Sequence, residues 1–196
     1  MLQVLELYAV ACAWLIFALI FFTRKRPPQT SEKVRDRRSL IGLLLQIVGF
    51  AIVRLGLRAP ASGFLELGPV AETSVAVVGI GLMAASLFLT YAAVKTLGKQ
   101  WSLAARLVQE HQLIREGPYS LVRHPIYTAM FGMLVGTDLA VSHWQTLILS
   151  SAVFLAGTML RIRAEEQLLS AAFGDAYRTY ARAVPALIPW WPMRAK

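Results

Sequence analysis

The chain has 196 residues, 57% of them hydrophobic and 16% charged, with a net charge of +9, and so apolar a composition excludes an ordinary soluble domain. Its basic residues flank apolar runs and accompany no nucleic-acid motif, so membrane topology and anionic lipid account for the charge and a nucleic-acid role is set aside. Cys12 is the single cysteine, which excludes a disulfide framework within the chain.

Leu2 to Thr23 is apolar apart from Gln3 and Glu6, long enough to cross about 30 Å of hydrocarbon at about 1.5 Å per residue. No basic segment precedes it and Arg24-Lys25-Arg26 follows it, the reverse of a secretory signal peptide, so a retained first span is expected. Arg24 to Arg38 holds seven basic residues with Pro27 and Pro28 and reads as a polar loop. Ser39 to Leu57 forms the second span, interrupted by Gln46 and, near its far end, Arg54. Arg58 to Glu72, with Pro60, Gly63, Gly68 and Pro69, reads as a short external turn. Thr73 to Leu97 is the third span.

Inside that span Gly79-Ile80-Gly81-Leu82-Met83-Ala84 matches the dinucleotide-binding glycine pattern. No strand precedes it and the acidic residue expected about 20 positions on is missing, so small residues permitting close helix approach explain it better. Gly98 to Arg123 is a long polar connection. His124 to Val141 makes the fourth span, with Pro125 in the first turn, where a missing N–H is harmless. Gly132 and Gly136 give that span a face for tight packing, and Asp138 is expected at a solvated helix end. After Ser142-His143, a tight turn, the fifth span runs from Trp144 to about Leu160. No Gly or Pro intervenes before Gly174, so the helix is expected to continue out of the bilayer through Arg161 to Phe173. The remainder, with Tyr177, Tyr180, Pro185 and Pro189 to Pro192, reads as an amphipathic tail at the headgroup level.

The expected fold is therefore an all-α integral membrane protein with five transmembrane helices, cytoplasmic-side connecting and C-terminal amphipathic helices, and a single membrane domain over 1–196. Residues 1–97 hold three spans and the basic loop at 24–38, and residues 98–196 hold two spans and the chemistry-bearing half. Placing the first loop, the 98–123 connection and the C-terminus on one side gives that side, with its helix ends, 18 of the 20 Lys and Arg. By the positive-inside rule that side is cytoplasmic and the N-terminus is outside.

Two polar islands, His111 to Tyr127 and Arg161 to Glu166, sit at that cytoplasmic end. On a helix Arg161 and Glu165 share a face, and Arg163 and Glu166 crowd further charge into the same turn. Ionisable residues at bundle-facing helix ends mark sites more often than lone surface pairs do. His124, immediately before Pro125, stands at a helix start where free N–H groups and the dipole favour an anionic ligand group. Tyr127 lies one turn deeper on the same face, and Tyr119, after Gly117-Pro118, sits in a turn able to double back over it. These residues describe a membrane-boundary site for a ligand with charges and a ring, without naming the reaction. His111, His124 and His143 are scattered and no cysteine joins them, so no metal is expected.

Gly117-Pro118-Tyr119, Val122-Arg123-His124-Pro125-Ile126-Tyr127, Arg161, Glu165-Glu166 and Phe173-Gly174-Asp175-Ala176-Tyr177-Arg178-Thr179-Tyr180 resemble the isoprenylcysteine carboxyl methyltransferase family and its bacterial relatives, including phospholipid N-methyltransferases. The resemblance covers roughly residues 95–190, with Trp101-Ser102 as an upstream echo. The first two spans carry no family signal, and Ala129 replaces the Gly that many relatives have two residues after the motif tyrosine.

The resemblance implies S-adenosylmethionine as methyl donor and S-adenosylhomocysteine as product, with His111, Gln112, Leu113, Ile114, Tyr119, His124, Pro125, Ile126, Tyr127 and Glu165 as cofactor residues. Arg161 would face a lipophilic methyl acceptor, an isoprenylcysteine-like carboxylate, a lipid or a small hydrophobic acid. A carboxylate needs no general base, whereas an amine acceptor would, with Glu166 as candidate. The implied location is a bacterial inner membrane with the site on the cytoplasmic side. Two alternatives stand beside this reading: a sterol-reductase-like enzyme using NADPH, which shares the Arg-His-Pro-x-Tyr element, and a non-enzymatic membrane assembly or transport protein.

Overall fold

The computed structural model describes residues 2–22, 37–59, 62–66, 68–98 and 112–189. The described helices are α1 (Leu2–Phe22), α2 (Arg37–Leu55), α3 (Pro69–Leu97), α4 (Pro125–Val141), α5 (Trp144–Phe173) and α6 (Asp175–Ala183), with a 3-10 turn at Gly117–Ser120 before α4. Among the described residues the single extended pairing is an isolated bridge between Leu57 and Ser142. Val4–Phe22, Pro69–Leu97 and Trp144–Phe173 are long and apolar enough to cross a membrane, and Ser39–Leu55 and Pro125–Val141 are shorter apolar helices. The protein is an all-α integral membrane protein.

Contacts at the two ends of the bundle show how the helices alternate. At one end Arg58, just past α2, meets Glu6 near the start of α1 at 3.7 Å, Glu72 in the first turn of α3 at 3.2 Å, and the carbonyl of Ala140 near the end of α4. At the other end Gly117 faces Thr96 at the end of α3, and Gly42 at the start of α2 faces Arg161 on α5. The expected external turn at 58–72 is shorter than the sequence suggested, because α3 begins at Pro69. Proline suits that position, and the Glu72 carboxylate also accepts from the backbone N–H groups of Phe64 and Leu65, folding the turn against the helix start.

Glycine decides which helices touch backbone to backbone. A Cβ on Gly136 would lie 2.6 Å from the carbonyl oxygen of Gly79, and one on Gly79 would lie 2.6 Å from that of Gly136, so the α3–α4 contact admits no side chain at either position. The nucleotide-like glycine pattern is thus a packing surface, and Gly81, with nothing within 4 Å, takes no part in it. Gly42 and Gly157 make the equivalent contact between α2 and α5, where each added Cβ would come within 2.6 Å or less of the other's carbonyl oxygen. Without a hydrophobic drive between helices in lipid, such close approach supplies the packing energy.

Aromatic rings close the centre: Trp14 of α1 meets Phe50 of α2 edge-on at 4.8 Å, Phe50 meets Phe154 of α5 at 5.3 Å, and the Trp14 indole donates to Thr137 of α4 at 3.1 Å. Asp138 is not at a solvated end: it is fully buried and accepts from Ser150 of α5 at 2.6 Å. The turn at Ser142-His143 folds α5 back over it. The tail also differs from expectation, since Tyr177 and Tyr180 of α6 are buried against the protein instead of facing headgroups; Trp190 to Lys196 lie outside the described residues.

Gly136→Ala is expected to destabilise the protein by about 1–3 kcal/mol through overpacking, whereas Gly81→Ala gains up to about 1 kcal/mol of helix propensity. Thermal melting of both variants in detergent checks the contrast.

Candidate active site

α5 carries its charged turn beyond the lipid-length stretch because 30 residues of uninterrupted helix, about 45 Å, exceed the hydrocarbon thickness. α4 enters the same region with Pro125 at its first position and His124 as the capping residue. Together these two helix ends and the residue just before His124 place six polar side chains in a connected series.

The series begins with Arg161, 5% exposed, whose Nε donates to the Tyr127 hydroxyl at 2.8 Å. The Tyr127 hydroxyl donates in turn to Oε1 of Glu165. The other oxygen of Glu165 lies 3.5 Å from Nδ1 of His124, and His124 Nε2 lies 3.1 Å from Oε1 of Glu166. Arg123 completes the series, with its Nε and one terminal nitrogen donating to that same Glu166 oxygen at 2.9 and 2.7 Å. The imidazole stacks on the Tyr127 ring at 5.8 Å, and the Arg161 guanidinium carbon lies 5.3 Å from that ring's centroid. The residues that share a face on α5 are therefore linked through a phenol from α4.

Two carboxylates between two guanidinium groups leave the imidazole to decide the balance. Burial alone would lower the pKa of His124, but hydrogen bonding to Glu165 and Glu166 and their charge outweigh it and raise the pKa above the ordinary 6.5. The raised pKa favours the cationic ring, in which both nitrogens donate to the carboxylates. Burial, followed by the Glu165 charge, raises the Tyr119 hydroxyl and keeps it protonated, and burial pushes Tyr180 up to about 12.

A return of the chain after α6 covers the outside of this series. The backbone N–H groups of Arg123 and His124 donate to the carbonyls of Pro185 and Ala186 at 2.8 and 3.0 Å, and the Thr128 hydroxyl donates to Leu187 O at 2.7 Å. The second terminal nitrogen of Arg123 donates to the carbonyls of Ala181 and Val184, and the Tyr180 hydroxyl to that of Tyr119 at 2.6 Å. The chain's own strap occupies the amides of residues 123 and 124, just ahead of the first turn of α4. Both His124 nitrogens likewise face carboxylates of the protein.

His124, Tyr127, Arg161, Glu165 and Glu166 thus come together, with Pro125 buried beneath them and Ile126 half-buried. Tyr119 is buried and joined through Tyr180. Gln112 is exposed and Leu113 and Ile114 half-buried on the segment leading to the 3-10 turn, while His111 lies outside the described residues. Sequence reasoning passed over Arg123 as a clamp, although it stands inside the motif. It also missed Gln46, whose amide is 1% exposed and reaches Arg161 from α2; the signal available was a lone amide in a lipid-length apolar run.

A polytopic helical membrane protein with a charged, buried site where its last two apolar helices end is the class that this fold and geometry define. Residues 77–171, just under half of the chain, match the isoprenylcysteine carboxyl methyltransferase (ICMT) family. The protein-S-isoprenylcysteine O-methyltransferase of Schizosaccharomyces pombe is 31% identical over 159 residues, covering 78% of this chain and 66% of that protein. Protein-S-isoprenylcysteine O-methyltransferase B of Arabidopsis thaliana is 31% identical over 100 residues, 50% of this chain and 51% of that protein. The nickel-cobalt-cadmium resistance protein NccN of Alcaligenes xylosoxydans xylosoxydans is 33% identical over 98 residues, 48% of this chain and 44% of that protein. The chain spans less than two thirds of the length of these curated relatives.

Arg123→Met is expected to cost about 2–3 kcal/mol, because it leaves Glu166 and two strap carbonyls without their charged donor. Arg123→Lys should recover little of it, as an ammonium cannot fork between the carboxylate and the strap. Hydrogen exchange at residues 184–189, faster in both variants, checks this. The pH dependence follows from His124: its raised pKa contributes stability that is full below about 6.5 and is lost as pH rises through the folded-state value. Melting temperature should therefore fall on alkalinisation in wild type, and His124→Gln should flatten that slope.

Proposed function

We propose that this protein transfers a methyl group from S-adenosylmethionine to the carboxylate of a lipophilic, isoprenylcysteine-like acceptor at the membrane boundary. The observation that carries the reading is the Arg161–Tyr127–Glu165–His124 series, which lies inside the segment matching the family. The relatives' names supply the acceptor class, and the chemistry of the site agrees with it.

The residues present fit the cofactor by their donor set. A sulfonium with an α-ammonium needs anionic and π-rich neighbours, and Glu165, Glu166 and the stacked rings of His124 and Tyr127 provide them. When bound, S-adenosylmethionine supplies an electrophilic methyl that an acceptor oxygen can take directly, leaving S-adenosylhomocysteine. In this reading Glu165 holds the cofactor's ammonium or ribose hydroxyls, with Tyr119, Pro125, Ile126 and the segment from His111 to Ile114 lining the same space. Arg161 holds the acceptor carboxylate, a planar anion suited to a guanidinium fork. Tyr127 orients both, since its hydroxyl joins Arg161 to Glu165. Aligning the two reactants in a dry site is the main catalytic demand of such a displacement.

Glu166 takes a different role from the base that an amine acceptor would require. Arg123 and His124 share one of its oxygens, so it anchors the strap and the imidazole. A carboxylate acceptor, already ionised, asks for no base at this position. With 18 of the 20 Lys and Arg on the side of the first loop, the 98–123 connection and the C-terminus, helix ends included, the positive-inside rule supports a cytoplasmic site, and in this reading the membrane is a bacterial inner membrane. An acceptor with a lipid tail then reaches it from within the bilayer.

Calorimetry of S-adenosylhomocysteine binding, paired with methyl transfer to N-acetyl-S-farnesylcysteine, tests the reading. Wild type should bind and transfer; Glu165→Ala should lose binding by at least about tenfold, and Arg161→Met should bind normally while turnover drops about a hundredfold or more. A folded wild type that binds no S-adenosylhomocysteine, or full turnover in both variants, would overturn it.

A further inference from the structure

α2 lies outside the matched segment, yet it delivers a polar group to the most buried member of the series. Gln46 Oε1 lies 3.5 Å from a terminal nitrogen of Arg161, and Gln46 Nε2 donates to Thr158 Oγ1 at 2.9 Å. Both neighbours belong to α5, three residues apart, and Gln46 and Thr158 are essentially inaccessible to solvent. The amide orientation follows from chemistry: a guanidinium offers donors only, so the carbonyl oxygen of Gln46 must face it and the NH2 must turn to Thr158. Thr158 thus fixes the side chain that receives Arg161.

An amide placed halfway along a lipid-length helix is disfavoured by several kcal/mol on transfer scales unless it is bonded. Packing alone would be met by leucine at this position, as it is by Leu45 beside it, which lies against Gly157. The approach is also built for contact at close range. Gly42, one turn before Gln46, admits no Cβ because the Gly157 carbonyl would lie at 2.6 Å and the Arg161 side chain at 2.7 Å. The glycine pair lowers α2 onto α5 at the level where Arg161 leaves the helix.

We propose that Gln46 is a positioning residue that sets the direction of the Arg161 guanidinium toward the methyl acceptor, so that α2 contributes to acceptor recognition. The inference rests on the methyltransferase reading above, in which Arg161 holds the acceptor carboxylate. Tyr127 holds the Nε edge of the guanidinium and Gln46 a terminal nitrogen, and with the covalent link at Cδ these two contacts set the plane of the group. Loss of either lets that plane rotate and misaligns the acceptor without touching the cofactor residues.

The test uses the full chain in lipid nanodiscs with N-acetyl-S-farnesylcysteine as acceptor. Gln46→Leu should raise the acceptor KM about tenfold and leave S-adenosylhomocysteine affinity within about twofold of wild type. Gln46→Glu should raise the KM further, because its carboxylate competes with the acceptor for Arg161. Thr158→Val, which leaves Gln46 in place but unanchored, should give a smaller rise, and Thr158→Ser should restore wild-type values. A role in helix packing alone would lower the melting temperature and leave KM unchanged. Wild-type KM and kcat in Gln46→Leu and Gln46→Glu, with an active wild type, overturn this inference and spare the methyltransferase reading. If Gln46→Leu does not fold, the Thr158→Val and Thr158→Ser pair decides the matter by the same KM criterion. An inactive wild type that binds no S-adenosylhomocysteine removes the methyltransferase reading, and this inference with it.

Discussion

Ionised groups at a membrane boundary persist only where each meets a partner of opposite charge or a hydrogen bond that replaces water. In this protein that constraint is met by an alternation of cation and anion, Arg161, Glu165, His124, Glu166 and Arg123, with the Tyr127 hydroxyl between the first two. Every element around the site is arranged to keep the alternation intact. α5 runs past the apolar stretch to carry the carboxylates, α4 starts with the imidazole, and the chain after α6 returns to hold Arg123. Removing one member takes a partner from each of its neighbours, which couples the members of the series.

The same alternation suits a cationic cofactor and an anionic acceptor. Glu165 touches both the Tyr127 hydroxyl and the imidazole, so a ligand cation arriving there would meet a carboxylate already oriented by neutral and positive donors. In the proposed function Arg161, two hydrogen bonds along the series, would be the cation offered to an acceptor. The two ligands would then be separated by charge sign over a few ångströms, beside the stacked rings of His124 and Tyr127. The far end of the bundle uses a related device for a different purpose. Arg58 draws Glu6 and Glu72 together and ties the ends of α1, α2, α3 and α4, leaving the opposite end to chemistry.

Much of this was legible in the residues. The spans follow from apolar length, and their observed ends fall within a few residues of the expected ones, because lipid allows a backbone to cross only as helix. The continuation of α5 through Arg161 followed from the absence of Gly and Pro before Gly174. That Arg161 and Glu165 share a face of α5 followed from helical periodicity, and the Gly132 and Gly136 face did pack closely on a neighbour. Less was legible at Asp138, where distance from the span centre suggested water and α5 instead covers the carboxylate with Ser150. The tail misled in the same direction: Tyr177 and Tyr180 suit a headgroup layer in composition, but their positions three apart on α6 face the protein.

By itself the sequence determined the helical membrane class, the grouping of basic residues on one side, and the family motif with its His124, Tyr127, Arg161 and Glu165, since these depend on local length, charge and spacing. Tertiary structure alone decided that Tyr127 joins Arg161 to Glu165, that the carbonyls of Pro185 and Ala186 consume the amides of 123 and 124, and that Gln46 meets Arg161 across 115 positions of chain. Those contacts are between side chains and backbone brought together by the Gly42–Gly157 and Gly79–Gly136 approaches. Which helices pack is a property of their mutual shape, and no periodicity within a single helix records it.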